Sequence, residues 1–134
     1  MTNLTLDLKT IESEINAYQQ QAGEAIFEIG RRLKHVKEND LAHGEWTKWL
    51  EKVDMHPRQA RRFIQIYNEL EGKRSALSTF SFTKLLTLAQ ISGDGGDIEK
   101  IISKPQALPN GTTKMFEEMT SRESEQLKKT ITTV

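Results

Sequence analysis

Four polar side chains recur at helical spacing in the middle of the chain. Arg58, Arg61, Arg62 and Gln65 stand at positions i, i+3, i+4 and i+7, so they share one side of a helix. Guanidinium groups bind phosphates or guanine edges, and a carboxamide can pair with adenine. The pattern therefore predicts a DNA-binding helix, with His56 at its start, where base contacts concentrate in such helices.

Three further cations are candidates for phosphate contacts. They are Arg32, in the basic run that ends the first helix, and Lys73 and Arg74, just after the basic helix. In this interpretation the bases are read by His56, Arg58, Arg62 and Gln65, and the phosphates are held by Arg61, Lys73 and Arg32. The basic run has an ordinary alternative explanation, because the helix macrodipole favours cations at helix C-termini.

The basic helix must be held in place by neighbouring elements, and these too are predicted as helices. Trp46, Trp49, Leu50 and Val53 have helical spacing, and Pro57 suits the first turn of the next helix, which runs to about Glu71. Residues 44–71 thus predict a helix-turn-helix that buries Leu50, Val53, Met55, Ala60 and Phe63. Trp46, Trp49 and Tyr67 are predicted core residues.

Acidic residues near this motif argue for a second interpretation. Asp54 stands in the turn where glycine is common, and Asp40 and Glu45 precede the first helix of the motif. All three would repel a DNA backbone. The alternative is therefore a three-helix packing motif whose basic side only faces solvent.

The N-terminal third predicts one long helix. Apolar residues recur in steps of three and four from Leu8 to Val36, which at 1.5 Å per residue gives a helix of roughly 45 Å with a coiled-coil-like seam. The candidate dimer seam is Leu8, Ile11, Ile15 and Tyr18. Burial within the domain is the alternative. A homodimer would set two reading helices about 34 Å apart.

The predicted class is all-α, with a long N-terminal helix packed on a helical domain that contains the helix-turn-helix, and with short C-terminal helices. Residues 1–103 form the helical domain. Residues 104–113 are predicted to be a linker, because Pro105, Pro109 and the Asn110–Gly111 pair cannot extend a helix. Residues 114–134 are a helical tail, in which Thr120 and Glu123 fit a capping box.

Composition excludes several classes of function. The net charge is zero, although residues 31–75 hold eleven Lys and Arg against seven acids. The chain has no cysteine, so disulfides, thiolate zinc sites and cysteine nucleophiles are impossible. The three histidines lack metal-ligand spacing. We expect no enzyme activity, catalytic residue, metal or cofactor. Because no apolar run could span a membrane or act as a signal peptide, we expect a cytoplasmic protein.

The segment EAIFEIGRRLKHVKENDLAHGEWTKWLEKVDMHPRQARRFIQIYNEL, residues 24–70, resembles the domain of unknown function 3102 family. The resemblance extends through FSFTKLLTLAQI and implies an origin in phages and mobile elements of Gram-positive bacteria. It implies no assigned site. The region of the basic helix also resembles, distantly, the helix-turn-helix of plasmid partition proteins of the ParB type, whose reading helix would correspond to Arg58, Arg61 and Arg62.

Together these patterns favour a small DNA-binding protein of a phage or mobile element, acting in regulation or in replication and maintenance. Its expected partner is double-stranded DNA. We expect no association with a membrane, and the sequence leaves open whether the chain forms a homodimer. The alternative is a protein-interaction module that inhibits a host or phage protein of replication or defence through helix-mediated contact.

Overall fold

The computed structural model describes residues 6–132, and most of these residues are helical. The helices are α1 (Leu8–Glu38), α2 (Trp46–Lys52), α3 (Pro57–Leu70), α4 (Arg74–Leu77), α5 (Phe82–Gly93), α6 (Ile98–Ser103) and α7 (Ser121–Thr132). Two 3₁₀ turns, Glu71–Lys73 and Phe116–Glu118, and an antiparallel hairpin of β1 (Gln106–Ala107) and β2 (Thr113–Lys114) complete the fold. The all-α class and the long N-terminal helix packed on other helices are confirmed.

Two glycines let the backbone of α1 lie directly against the backbone of neighbouring segments. A Cβ atom at Gly23 would lie 1.7 Å from the carbonyl oxygen of Ser78, and one at Gly30 would lie 2.4 Å from the carbonyl oxygen of Phe63. No side chain fits in either gap. Gly23 and Gly30 therefore fix where α1 crosses the end of α4 and the middle of α3.

The stripe of α1 that packs on the domain is not the predicted seam. The buried residues are Gly23, Phe27, Gly30 and Leu33. By contrast, the side chains of Leu8, Ile15 and Tyr18 are 68%, 53% and 69% exposed, and only Ile11 is half-buried. The alternative that this seam is buried within the domain is therefore wrong for the described N-terminal half of α1.

α3 is the central helix of the fold, since it packs on both α1 and α5. Its Ile66 and Leu70 join the main core with Phe27 of α1 and with the inner side of α5. Its Ala60 and Phe63 join a second cluster with Leu33 and Leu50. Such two-sided packing holds α3 rigidly, because core side chains interlock at close to crystalline density.

The turn from α2 to α3 is closed by backbone hydrogen bonds. The Met55 N–H donates to the Leu50 carbonyl over 2.9 Å and the Asp54 N–H to the Glu51 carbonyl over 3.1 Å, which is the Schellman pattern. Asp54 has φ +55°, so it occupies the left-handed position that glycine usually fills. Aspartate tolerates this conformation better than most residues do.

The prediction that Val53 is buried is wrong, and three aromatic residues near the motif are only half-buried. Val53 is 46% exposed, because it is the C-cap of α2 and the chain reverses direction there. Trp46 and Trp49 are half-buried and pack on the second core cluster, and their rings stack with centroids 5.7 Å apart. Tyr67 is likewise half-buried. The second core cluster is therefore open to solvent on one side.

The predicted linker at residues 104–113 is wrong, since this segment begins the packed β-hairpin. The Leu108 N–H donates to the Thr112 carbonyl over 2.8 Å, and the Leu108 side chain is buried in the main core. The following residues join the same core through Phe116, Met119 and Leu127. The tail is therefore part of the domain. The predicted capping box of α7 is confirmed by reciprocal bonds between Thr120 and Glu123, 2.9 and 3.1 Å long.

Candidate nucleic-acid interface

The outer side of α3 carries the predicted arginines. Arg58 and Arg61 are exposed, and Arg62 and Gln65 are half-buried, with Gln65 on the flank nearer α5. Among residues 6–132, no carboxylate forms an ion pair with any of these three guanidinium groups. The acids that could have neutralised them, Glu45, Glu51 and Asp54, do not do so. This surface, Arg58, Arg61, Arg62 and Gln65, is called the arginine strip below.

His56 has a structural role at the start of α3. Its Nδ1 atom accepts the backbone N–H of Arg58 over 3.1 Å, so the imidazole is the N-cap of the helix. An accepting Nδ1 leaves the proton of the neutral ring on Nε2. Any contact of His56 with a ligand would therefore use an Nε2 donor, while the ring stays fixed by its capping bond.

The other three predicted phosphate contacts are held in ion pairs. Arg32 Nη1 lies 2.6 Å from Glu28 Oε1, and Lys73 Nζ lies 2.6 Å from Glu99 Oε1. Arg74 bonds Glu24 at 2.6 Å and Glu28 at 2.7 Å. Lys73 and Arg74 join separate elements of the fold, and Arg32 pairs within α1. We leave these three cations out of the proposed surface.

Glu28 is the hub of this ion-pair network. Hydrogen bonds from Arg32 and then Arg74 lower the pKa of its carboxyl group from 4.5 to about 2. The charged form is thus favoured in the folded state. A carboxyl group whose pKa is lowered by folding stabilises the fold above its unfolded pKa, and this stabilisation disappears as pH falls through the folded value.

We therefore expect the contribution of Glu28 to stability to be lost between about pH 4.5 and about pH 2. Glu28→Gln should lower the melting temperature at neutral pH, and the difference from the wild type should shrink across that window. Thermal melts followed by circular dichroism at several pH values measure this. Glu118→Gln, at an exposed carboxylate, is the control and should match the wild type. A Glu28→Gln deficit that is constant with pH would contradict the network.

A basic cavity lies beside α3, between it and the C-terminal half of α1. It has a volume of about 440 Å³ and is lined by Arg31, Arg32, Lys34, His35, Glu38 and Tyr67. Lys34 Nζ lies 5.5 Å from the centre of the Tyr67 ring. Sequence reasoning missed Tyr67 as part of this surface, because its spacing matches the core side of α3. The cavity offers a second place for an anion next to the arginine strip.

Among residues 6–132, no group of three or more His, Asp and Glu side chains could hold a metal ion. None of the described helices is long and apolar enough to cross a membrane.

A known protein family covers most of this chain. A family model described as Protein of unknown function (DUF3102) matches residues 8–95, well over half of the chain. The chain belongs to this family. The DUF3102 segment spans α1 to α5, so it contains both the arginine strip and the basic cavity. No curated protein and no solved structure matches the chain significantly.

Proposed function

We propose that this DUF3102 protein binds double-stranded DNA, with α2, the Asp54 turn and α3 acting as a helix-turn-helix. The observation that carries the proposal is the arginine strip. Three guanidinium groups lie on the outer side of a rigid helix without an acidic partner among the described residues, while neighbouring cations such as Arg74 are neutralised. A basic, convex helix supported from behind is what the major groove admits.

The basic cavity extends this surface towards α1. Arg31 lies 3.8 Å from Glu28, at the limit of an ion pair, and Lys34 rests over the Tyr67 ring. With the three arginines of α3 they give five cations for DNA phosphates. Phosphate contacts fix the register of a protein on DNA, and base contacts add sequence preference. In binding that is independent of sequence, all five cations would contact phosphates. At a preferred site Arg31, Lys34 and Arg61 would stay on phosphates, and Arg58, Arg62 and Gln65 would contact bases.

By its resemblance, the protein would belong to a phage or mobile element and act in the cytoplasm, in regulation or in replication and maintenance. A second candidate function is inhibition of a host or phage protein by direct contact. It is favoured by apolar side chains around α2, where the exposed Leu41 and the half-buried Trp49 line one cavity and Val53 is exposed at the C-terminal end of the helix. An acidic partner protein with an apolar centre would fit this mixed surface.

Binding of the full-length chain to labelled double-stranded DNA, followed by fluorescence anisotropy at low salt, tests the proposal. We expect Arg58→Ala/Arg62→Ala to weaken binding by about 30-fold or more, because each arginine contact is worth about 1–3 kcal/mol. Arg122→Ala, which removes an exposed arginine from α7, should bind like the wild type. Failure of the wild type to bind DNA would reject the proposal. A nuclease-resistant protein partner, lost in the double variant, would then support the second candidate.

A further inference from the structure

Seven apolar residues of α1 follow a strict heptad. The dimer seam of Leu8, Ile11, Ile15 and Tyr18 alternates steps of three and four, and Ala22, Ala25 and Ile29 continue the same alternation. All seven residues are exposed except Ile11, which is half-buried. Alternating a and d positions over three heptads are the pattern of a helix that pairs with another helix.

This seam lies on a different side of α1 from the residues that hold the domain. Successive residues of an α-helix are about 100° apart, so Ile29 is rotated by about that angle from Gly30, which packs against Phe63. In the heptad, Gly23 and Gly30 are b positions and Phe27 is an f position, facing away from a partner. A second helix can therefore lie along the seam while α1 keeps its contacts with α3 and α4.

We infer that the seam binds the α1 helix of a second copy of this chain in the antiparallel orientation. The two halves of the seam differ in size, with bulky residues from Leu8 to Tyr18 and small alanines at 22 and 25. An antiparallel register centred at the level of Gln20 puts Ile15 against the second copy's Ala25 and Tyr18 against its Ala22. Bulky side chains then fill the space that the alanines leave, as close packing requires.

The same register uses every remaining position of the seam. Ile11 meets the second copy's Ile29, and Leu8 meets the aliphatic stem of its Arg32, the next d position. A parallel pair would instead place Tyr18 on Tyr18 and alanine on alanine. In that pair the bulky end would hold the helices apart, and the alanines at the other end would lose van der Waals contacts.

Charge along α1 favours the same orientation. Residues 7–14 contain three acids and one lysine, whereas residues 31–37 contain four Lys and Arg and no acid. The antiparallel register sets residues 7–14 opposite residues 26–33 of the second copy, where Arg31 and Arg32 outnumber the single acid Glu28. Parallel pairing would bring Glu12 and Glu14 near the same acids of the second copy, where like charges repel.

The antiparallel pair also sets the distance between the two α3 helices. Gly30, where α3 crosses α1, is ten residues from the centre of the register, so the two crossings lie about 30 Å apart along the pair. This is close to the roughly 34 Å that separates successive turns of one DNA groove. The match in spacing rests on the proposed DNA function, whereas the dimer itself does not.

Light scattering on the full-length chain over a series of concentrations tests the pairing. We expect the wild type to reach twice the chain mass of 15.3 kDa. Ile15→Glu/Tyr18→Glu should raise the dissociation constant by at least about 100-fold, because it puts charges in the apolar seam. Both side chains are exposed in the monomer, so the variant should keep its helix content. Ser13→Glu, at an f position, is the matched control. A wild type that stays monomeric, or a double variant that still dimerises, overturns the inference.

Orientation is tested with single cysteines, which the natural chain lacks. With a short bismaleimide, Gln21→Cys should cross-link into dimers, because it flanks the centre of the antiparallel register. Leu8→Cys should not, since the two copies of residue 8 would lie about 36 Å apart. Cross-linking through Leu8→Cys would show a parallel pair and overturn the orientation. Both experiments are done without DNA, so their outcome is independent of whether the arginine strip binds DNA.

Discussion

Raising the salt concentration from about 50 mM to about 200 mM should weaken DNA binding by about 500-fold. Each phosphate neutralised by a cation releases counterions, so the logarithm of affinity falls with the logarithm of salt with a slope of about −0.9 per phosphate. The three arginines of α3 together with Arg31 and Lys34 supply five cations. The expected slope is therefore about −4.5.

Removal of three of these cations should flatten this dependence. For Arg58→Gln/Arg61→Gln/Arg62→Gln the expected slope is about −2, because only Arg31 and Lys34 remain to displace counterions. Arg122→Gln should leave the slope unchanged. Anisotropy titrations at four or more salt concentrations give these slopes. An equal slope for the triple variant and the wild type would place the DNA on another surface.

Gly23→Ala should lower the free energy of unfolding by about 3 kcal/mol, near the upper end for overpacked sites. The added Cβ atom would lie 1.7 Å from the Ser78 carbonyl oxygen, and a backbone atom cannot move aside by changing a rotamer. Alanine gains up to about 1 kcal/mol in helix propensity over glycine, which is too little to offset the clash. Chemical denaturation followed by circular dichroism measures the change.

Gly72→Ala is the control for this substitution. No atom lies within 4 Å of a Cβ atom built at Gly72, so the same change of residue meets open space there. We expect it to leave stability unchanged or slightly raised. If Gly23→Ala were as stable as Gly72→Ala, the close approach of α1 to Ser78 would not contribute to the fold.

Local patterns in the sequence predict the helices and the outer side of α3 well. The Pro57 start of α3, the Thr120–Glu123 capping box and the spacing of Arg58, Arg61 and Arg62 each depend on neighbours within a few residues. The buried side of α3 is harder to predict, because Ile66 is enclosed only when α1 and α5 pack on two sides of the helix. That arrangement depends on tertiary contacts, which the local periodicity of the sequence does not predict.

Two other structural features are hard to predict for the same reason. Arg74 resembles a free cation in the sequence, but its acidic partners are Glu24 and Glu28, on another helix. Residues 104–113 resemble a linker because of their prolines, although Asn110–Gly111 is also a common hairpin turn. Their packing is decided by Leu108, a lone apolar residue whose burial has no periodic signal.

The central place of α3 has a consequence for its motions. A helix packed on two sides opens only when the core opens, so its amide hydrogens should exchange with solvent on the timescale of global unfolding. The N-terminal half of α1 is exposed in the monomer and should exchange much faster. Arginines on so rigid a helix lose only side-chain freedom when they bind, with no loop to order. Their association with a charged surface should then be limited by encounter and orientation, not by a slow change of conformation.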